Sequence, residues 1–161
     1  MAVLALDEVK DALNIKQTVT DAQVGDLIGQ AESFVANLCG PLEPTPVTSR
    51  IPGGRYLVLP LGPVLSITSV TGRSGATVTL PGNALAGAVL DPGQTLSEDW
   101  YDVAYVVGRE TCPDDLRRAA LEMCRHLWRP QRGAEQRSDA MSALRLAEDL
   151  MKPHRQYLVA V

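Results

Sequence analysis

TDAQVGDLIGQAESFVANLCGP, Thr20 to Pro41, is the stretch from which the fold is read. It opens with the spacing of a capping box: a Thr20 oxygen placed to accept from the Gln23 backbone N–H, and a Gln23 side chain able to reach back. Val24, Leu27, Ile28, Ala31, Val35 and Leu38 then recur at helical period and form one apolar stripe. Gly40-Pro41 closes it, because glycine supplies a left-handed turn and proline forbids continuation. Upstream, Asp7 to Leu13 predicts two further helical turns, with Asp7 as N-cap and Val9 and Leu13 on one face. Asn14 to Val19 reads as the linker between the two helices.

Downstream the character changes. From Glu43 to Gly108 the chain is rich in Pro, Gly, Thr and Val, and short runs alternate with turn signals. Val47–Ile51, Arg55–Leu59, Val64–Thr71, Ala76–Leu80, Ala88–Leu90 and Trp100–Val107 are the strand candidates, with Pro52-Gly53-Gly54 as a hairpin-type turn. Val64, Ser66, Thr68 and Val70 alternate with Leu65, Ile67 and Ser69, so that strand is covered on part of both faces. Helical signals return at Pro113, placed at the first helical position, with Asp114 and Asp115 beside the positive helix end. Leu116, Ala120, Met123 and Leu127 make the stripe, and Pro130 stops it. Gln131 to Arg137 reads as a loop; Ser138 then caps a last helix with Met141, Leu144, Ala147 and Met151 on one side. The expected fold is α+β and mainly α: a bundle of about four helices with a small antiparallel β domain inserted between helices 2 and 3. The divisions are residues 1–42 and 109–155 for the bundle, 43–108 for the β insert, and 156–161 for a tail that docks on a partner.

Composition narrows the class. In 161 residues, 45% are hydrophobic but only 4% aromatic, so a real core must be built mostly from Leu, Val and Ala. No apolar run approaches the roughly 20 residues that span a bilayer. Met1 to Lys10 has no basic region and carries Asp7 and Glu8, unlike a signal peptide, so the expected compartment is a cytoplasm. Cys39, Cys112 and Cys124 are odd in number and far apart, which argues against a disulfide framework. The net charge of −4 is uneven: residues 1–108 carry 5 basic and 11 acidic side chains, residues 109–161 carry 10 and 8. That is not the strongly basic face of a dedicated DNA reader; it suits a protein whose halves meet different neighbours.

Catalytic patterns are missing. His126 and His154 have no partner at metal-ligand spacing, and neither a phosphate-binding glycine loop nor a Gly-x-Ser-x-Gly elbow occurs. Glu98-Asp99, Asp114-Asp115 and Glu148-Asp149 are sequence neighbours at element ends or exposed faces, better explained as caps and solvated charge than as acid–base pairs. No catalytic residue, metal site or cofactor is expected.

Two features point outward instead. Of 15 basic residues 12 are Arg, and Arg118, Arg125 and Arg129 fall on one helical face, with Glu122 between them and Arg117 adjacent. That face reads as a salt-bridged surface, as a subunit interface, or as a line of phosphate contacts in a DNA channel. The chain ends in Tyr157-Leu158-Val159-Ala160-Val161, which either docks on its own domain or pairs with another chain, its β-branched and aromatic content suiting addition to a sheet edge.

Five segments in order resemble the head–tail connector (adaptor) proteins of tailed bacteriophages. They are Leu6 to Leu13 with the helix from Thr20 carrying Ile28, Ala31, Phe34 and Val35; LPLGPVLSITSVTG, Leu59 to Gly72; WYDVAYVVG, Trp100 to Gly108; PDDLRRAALEMCRHLW, Pro113 to Trp128; and LMKPHR, Leu150 to Arg155, where His154 replaces the family's usual aromatic. The resemblance implies a non-enzymatic subunit of a ring, usually of twelve, docked beneath the portal protein in the virion neck. It implies assembly in the host cytoplasm, a stopper or tail-completion protein on the far side, and double-stranded DNA passing through the channel without sequence recognition. It makes Tyr157 to Val161 candidate portal contacts, and Arg117, Arg118, Arg125 and Arg129 candidates for the subunit interface or channel; no membrane is involved. Another neck component, a non-enzymatic ligand- or peptide-binding module, and an enzyme of unfamiliar type are the alternatives.

Overall fold

A computed structural model describes residues 3–15, 21–82, 84–128 and 137–155, with the side chains of 137–140 left aside. The chain divides into two compact units, one of residues 3–42 and 111–155 and one of residues 43–110.

The first unit is helical: α1 (Leu6–Leu13), α2 (Asp21–Cys39), α3 (Asp114–Trp128) and α4 (Arg137–Met151), followed by a 3-10 turn over Lys152–His154. α1 starts one residue before the expected cap; Ala5 holds the N-cap position without a side-chain bond, and Asp7 lies in the first turn. Its end is a Schellman turn: Asn14 is left-handed at φ 55°, its N–H bonds the Asp11 carbonyl, and the Ile15 N–H bonds that of Lys10 at 2.8 Å. Val24, Leu27, Ile28, Ala31 and Val35 of α2 are buried as the stripe requires, with Cys39 rather than Leu38 completing it. Gly40 is left-handed at φ 80°, as a glycine stop should be. Thr20 and its capping box lie outside the described residues. α3 buries Leu116, Ala119, Ala120, Met123, Cys124 and Trp128, and packs between α2 and α4, which barely meet each other. α4 begins at Arg137, before Ser138; it buries Ala143, Ala147 and Met151, whereas Met141, expected inside, is 51% exposed. The Leu4 N–H, donated to Glu32 Oε1 at 2.9 Å, ties the leading segment to α2.

The second unit holds β1 (Thr45–Pro52), β2 (Leu57–Val58), β3 (Val64–Gly72), β4 (Leu85–Ala86), β5 (Val89–Leu90) and β6 (Trp100–Val107). The expectation of a mainly α bundle with one small β insert between helices 2 and 3 is corrected here. The strands build two separate three-stranded antiparallel sheets, ordered β1-β6-β3 and β2-β5-β4, and the chain is 41% helix and 24% strand. The reason is local. Pro52-Gly53-Gly54 does not close a hairpin: β1 pairs with β6 while β2 pairs with β5, so the turn is a corner between sheets. A Cβ on Gly53 would stand 2.1 Å from the Glu98 carbonyl oxygen, so the corner needs glycine for close backbone approach. Ala76–Leu80 forms no strand; it contributes one isolated bridge, Thr71 to Thr77.

β6 carries the core, with Tyr101, Val103, Tyr105 and Val107 buried on alternate positions. β3 does not alternate. Register shifts between Val64 and Ser66 and between Ile67 and Ser69 turn its period from two to three. Val64, Ile67 and Val70 thereby all face β6 residues of the buried set: Val107, Tyr105 and Val103. Tyr105 is 1% exposed, and its hydroxyl is within 3.0 Å of Ser49 Oγ, which satisfies the polar tip of a buried ring.

Candidate assembly surfaces

The arginines of α3 do not share one role. Arg117 Nη2 donates to Glu8 Oε2 at 2.7 Å and joins α3 to α1. Arg118 is exposed and has no ion-pair partner among the described residues. Glu122, expected on an open face, is 5% exposed, and Arg125 Nη1 donates to its Oε1 at 2.6 Å. Arg125 is therefore the counter-charge of a buried carboxylate. Arg129 and Tyr157 to Val161 lie outside the described residues.

Both units show apolar side chains to solvent. On the small sheet, Val58 pairs with Val89 across the strands, and both are more than a third exposed, while their neighbours Leu57 and Leu90 are buried. Tyr56 at 51%, Leu61 at 46% and Leu65 at 36% are also exposed in that unit. On the large sheet the outer side carries an ion pair: Arg50 grips Asp102 through Nε at 2.9 Å and Nη2 at 3.2 Å, and its guanidinium lies 3.8 Å from the Trp100 ring centre. The Arg50 hydrogen bond holds the Asp102 carboxyl below its ordinary range. In the helical unit Phe34, Met141 and Leu146 are the exposed large hydrophobic residues among those described. Phe34 lines a shallow, open depression along α2 together with Gly25, Gly29 and Ser33. Sequence reasoning passed over this depression, although two glycines four apart inside an otherwise strong helix were the signal for it.

His154 Nε2 stands 3.8 Å from Asp115 Oδ2, and no group of three His, Cys, Asp or Glu side chains among the described residues could hold a metal ion. Burial pushes the Cys124 thiol up to about 12, helped by the charge of Glu32. No described helix is long and apolar enough to cross a membrane.

An open depression on the helical unit and exposed apolar side chains on both units are features that suit a chain packing against other chains. The family model of head completion proteins matches residues 2–139, and the chain belongs to that family. The resemblance to phage head–tail connectors is thus borne out at the level of the family: this is a structural component of the phage head–tail neck, part of the virion, that contacts other head and neck proteins. No curated protein matches the chain.

Proposed function

We propose that the chain is the adaptor subunit of a tailed-phage neck, copies of which close into a ring, twelve by resemblance, beneath the portal protein. The match to head completion proteins over residues 2–139 is the observation that carries this reading. In this role the subunit performs no catalytic step and needs no cofactor. The ring joins capsid to tail and lines the channel through which double-stranded DNA passes, contacted without base recognition. Of the four arginines, Arg118 is the one whose exposure and lack of an ion-pair partner among the described residues suit a channel or subunit contact. Arg117 and Arg125 already hold Glu8 and Glu122, and Arg129 remains a candidate on its position in the sequence. Tyr157 to Val161 are the proposed portal contacts, and assembly takes place in the host cytoplasm before the neck is sealed. The apolar face around Val58 and Val89 would serve the next neck protein, a stopper or tail-completion protein.

A second reading rests on the strand content. Two three-stranded sheets are more β structure than an adaptor led us to expect, which favours a stopper or tail-completion protein as the alternative. Assembly of the purified protein separates the readings: closed rings with a central hole of duplex width are expected of the adaptor, and their absence removes it.

A further inference from the structure

We propose, resting on the ring reading above, that neighbouring subunits meet by α4 of one copy lying in the groove of α2 of the next. α2 and α4 flank α3 and barely touch each other, so the helical unit presents one of them on each flank. A repeat that joins two different faces is the heterologous contact from which rings are made.

The two faces differ in shape. On α2, Gly25, Gly29 and Ser33 recur every four residues and leave a shallow, open depression on the helix surface that Asp26 and Phe34 also line. A Cβ added at Gly25 or Gly29 would meet nothing within 4 Å, so no contact inside the described chain calls for glycine there. Glycine inside a helix is unfavourable, and its gain here is room for a second backbone to approach. Beside it lies a hollow of about 260 Å³ that shares Asp26 and is bounded by Gln23, Gln30 and Trp128. Trp128 is 9% exposed, and its indole N–H has no acceptor among the described residues. On α4 the outward arc holds bulk instead: Met141 is 51% exposed and Leu146 38%, with Arg145 between them.

Charge commits the groove to a second copy of this chain. α2 carries Asp21, Asp26 and Glu32 and no Lys or Arg. Lys10 engages Asp21, and Glu32 accepts the Leu4 N–H, which leaves Asp26, beside the glycines, without a partner among the described residues. Arg145 likewise has no ion pair there. An α2-to-α2 pairing would set Asp26 against Asp26, and an α4-to-α4 pairing Arg145 against Arg145. Both two-fold dimers would oppose like charges at these positions; α4 also carries Glu148 and Asp149, the latter held by Lys152, and a head-to-tail contact is the arrangement that can set Asp26 against Arg145.

The test uses the full-length chain, native mass spectrometry and negative-stain imaging on the wild type, Asp26→Arg, Arg145→Asp and the double reversal. Each single reversal is expected to weaken ring formation by about tenfold or more, and the double reversal to restore it. Both positions are exposed in the helical unit, Asp26 on α2 and Arg145 on α4, so thermal melts of wild type and variants under dissociating conditions should coincide and keep a folding defect from passing as an interface effect. Wild-type-like rings in the single variants, or a double variant as weak as the worse single one, overturn the contact while leaving the ring intact and the α2 groove to another neck protein. A wild type that stays monomeric overturns the ring reading, and this contact with it.

Discussion

Glu98 sits where β3 turns back, its carboxylate accepting from the Ser74 backbone N–H at 2.8 Å and from the Ser74 hydroxyl at 2.7 Å. A Cβ on Gly72 would come within 2.5 Å of the same carboxylate, so a glycine there makes the close approach possible. The Ser74 hydroxyl, then the Ser74 N–H, hold the Glu98 carboxyl below its ordinary 4.5. A carboxyl lowered by folding adds stability that is present above its unfolded value and is lost as pH falls through the folded one. We expect the Ser74 amide resonance to titrate with a midpoint below 4.5, and Glu98→Ala to abolish that titration; a Ser74 midpoint unmoved by the substitution would assign it to another group. Arg125 makes a second case. Its replacement by Glu places like charge on a Glu122 that is 5% exposed, and should destabilise the fold by about 2 kcal/mol. Arg118→Glu, on an exposed face, should change stability by less than about 0.5 kcal/mol. Denaturant titration of both variants checks the contrast, and equal losses would refute it. The helical spacing of Arg118, Glu122 and Arg125 was legible in the sequence. The burial of Glu122 was not, because periodicity places a residue on a face and does not say what covers that face.

At the scale of elements, legibility followed the number of sides an element buries. α2 has a single apolar stripe and an unambiguous stop, and both are as read but for Cys39 standing where Leu38 was expected. β6 alternates cleanly because one of its faces is core. β3 was misread since its period is set by two bulges against β6, and a bulge is a property of a strand pair rather than of a strand. The Pro52-Gly53-Gly54 corner failed for a related reason: a hairpin turn and a sheet-to-sheet corner use the same residues and differ only in the partner strand. The glycines of α2 allow a prediction at this level. With open space around both, Gly25→Ala and Gly29→Ala should each stabilise the isolated subunit by about 1 kcal/mol, as alanine outranks glycine in an exposed helix interior. Chemical denaturation under dissociating conditions measures it, and a loss of stability would show that those glycines serve the monomer after all.

For the whole molecule, the sequence carried the family and the structure carried the faces. Segments spread from Leu6 to Arg155 point to a phage neck protein, and the head completion family match over residues 2–139 agrees. What composition and periodicity did not reveal is which surfaces remain open once the cores have formed, since that depends on packing between distant segments such as α2 and α3. The helical unit offers a groove and a ridge on the two helices that flank α3, and the β unit offers an apolar patch at Val58 and Val89. A subunit of a closed ring needs two unlike faces for its copies and further surface for its neighbours. Mass determination of the purified full-length protein over a wide concentration range, with imaging of the same samples, tests this account most directly. It predicts one discrete high-mass species, an integral multiple of the 17.3 kDa chain, seen as rings with a hole wide enough for duplex DNA. A single monomeric mass at every concentration would contradict it.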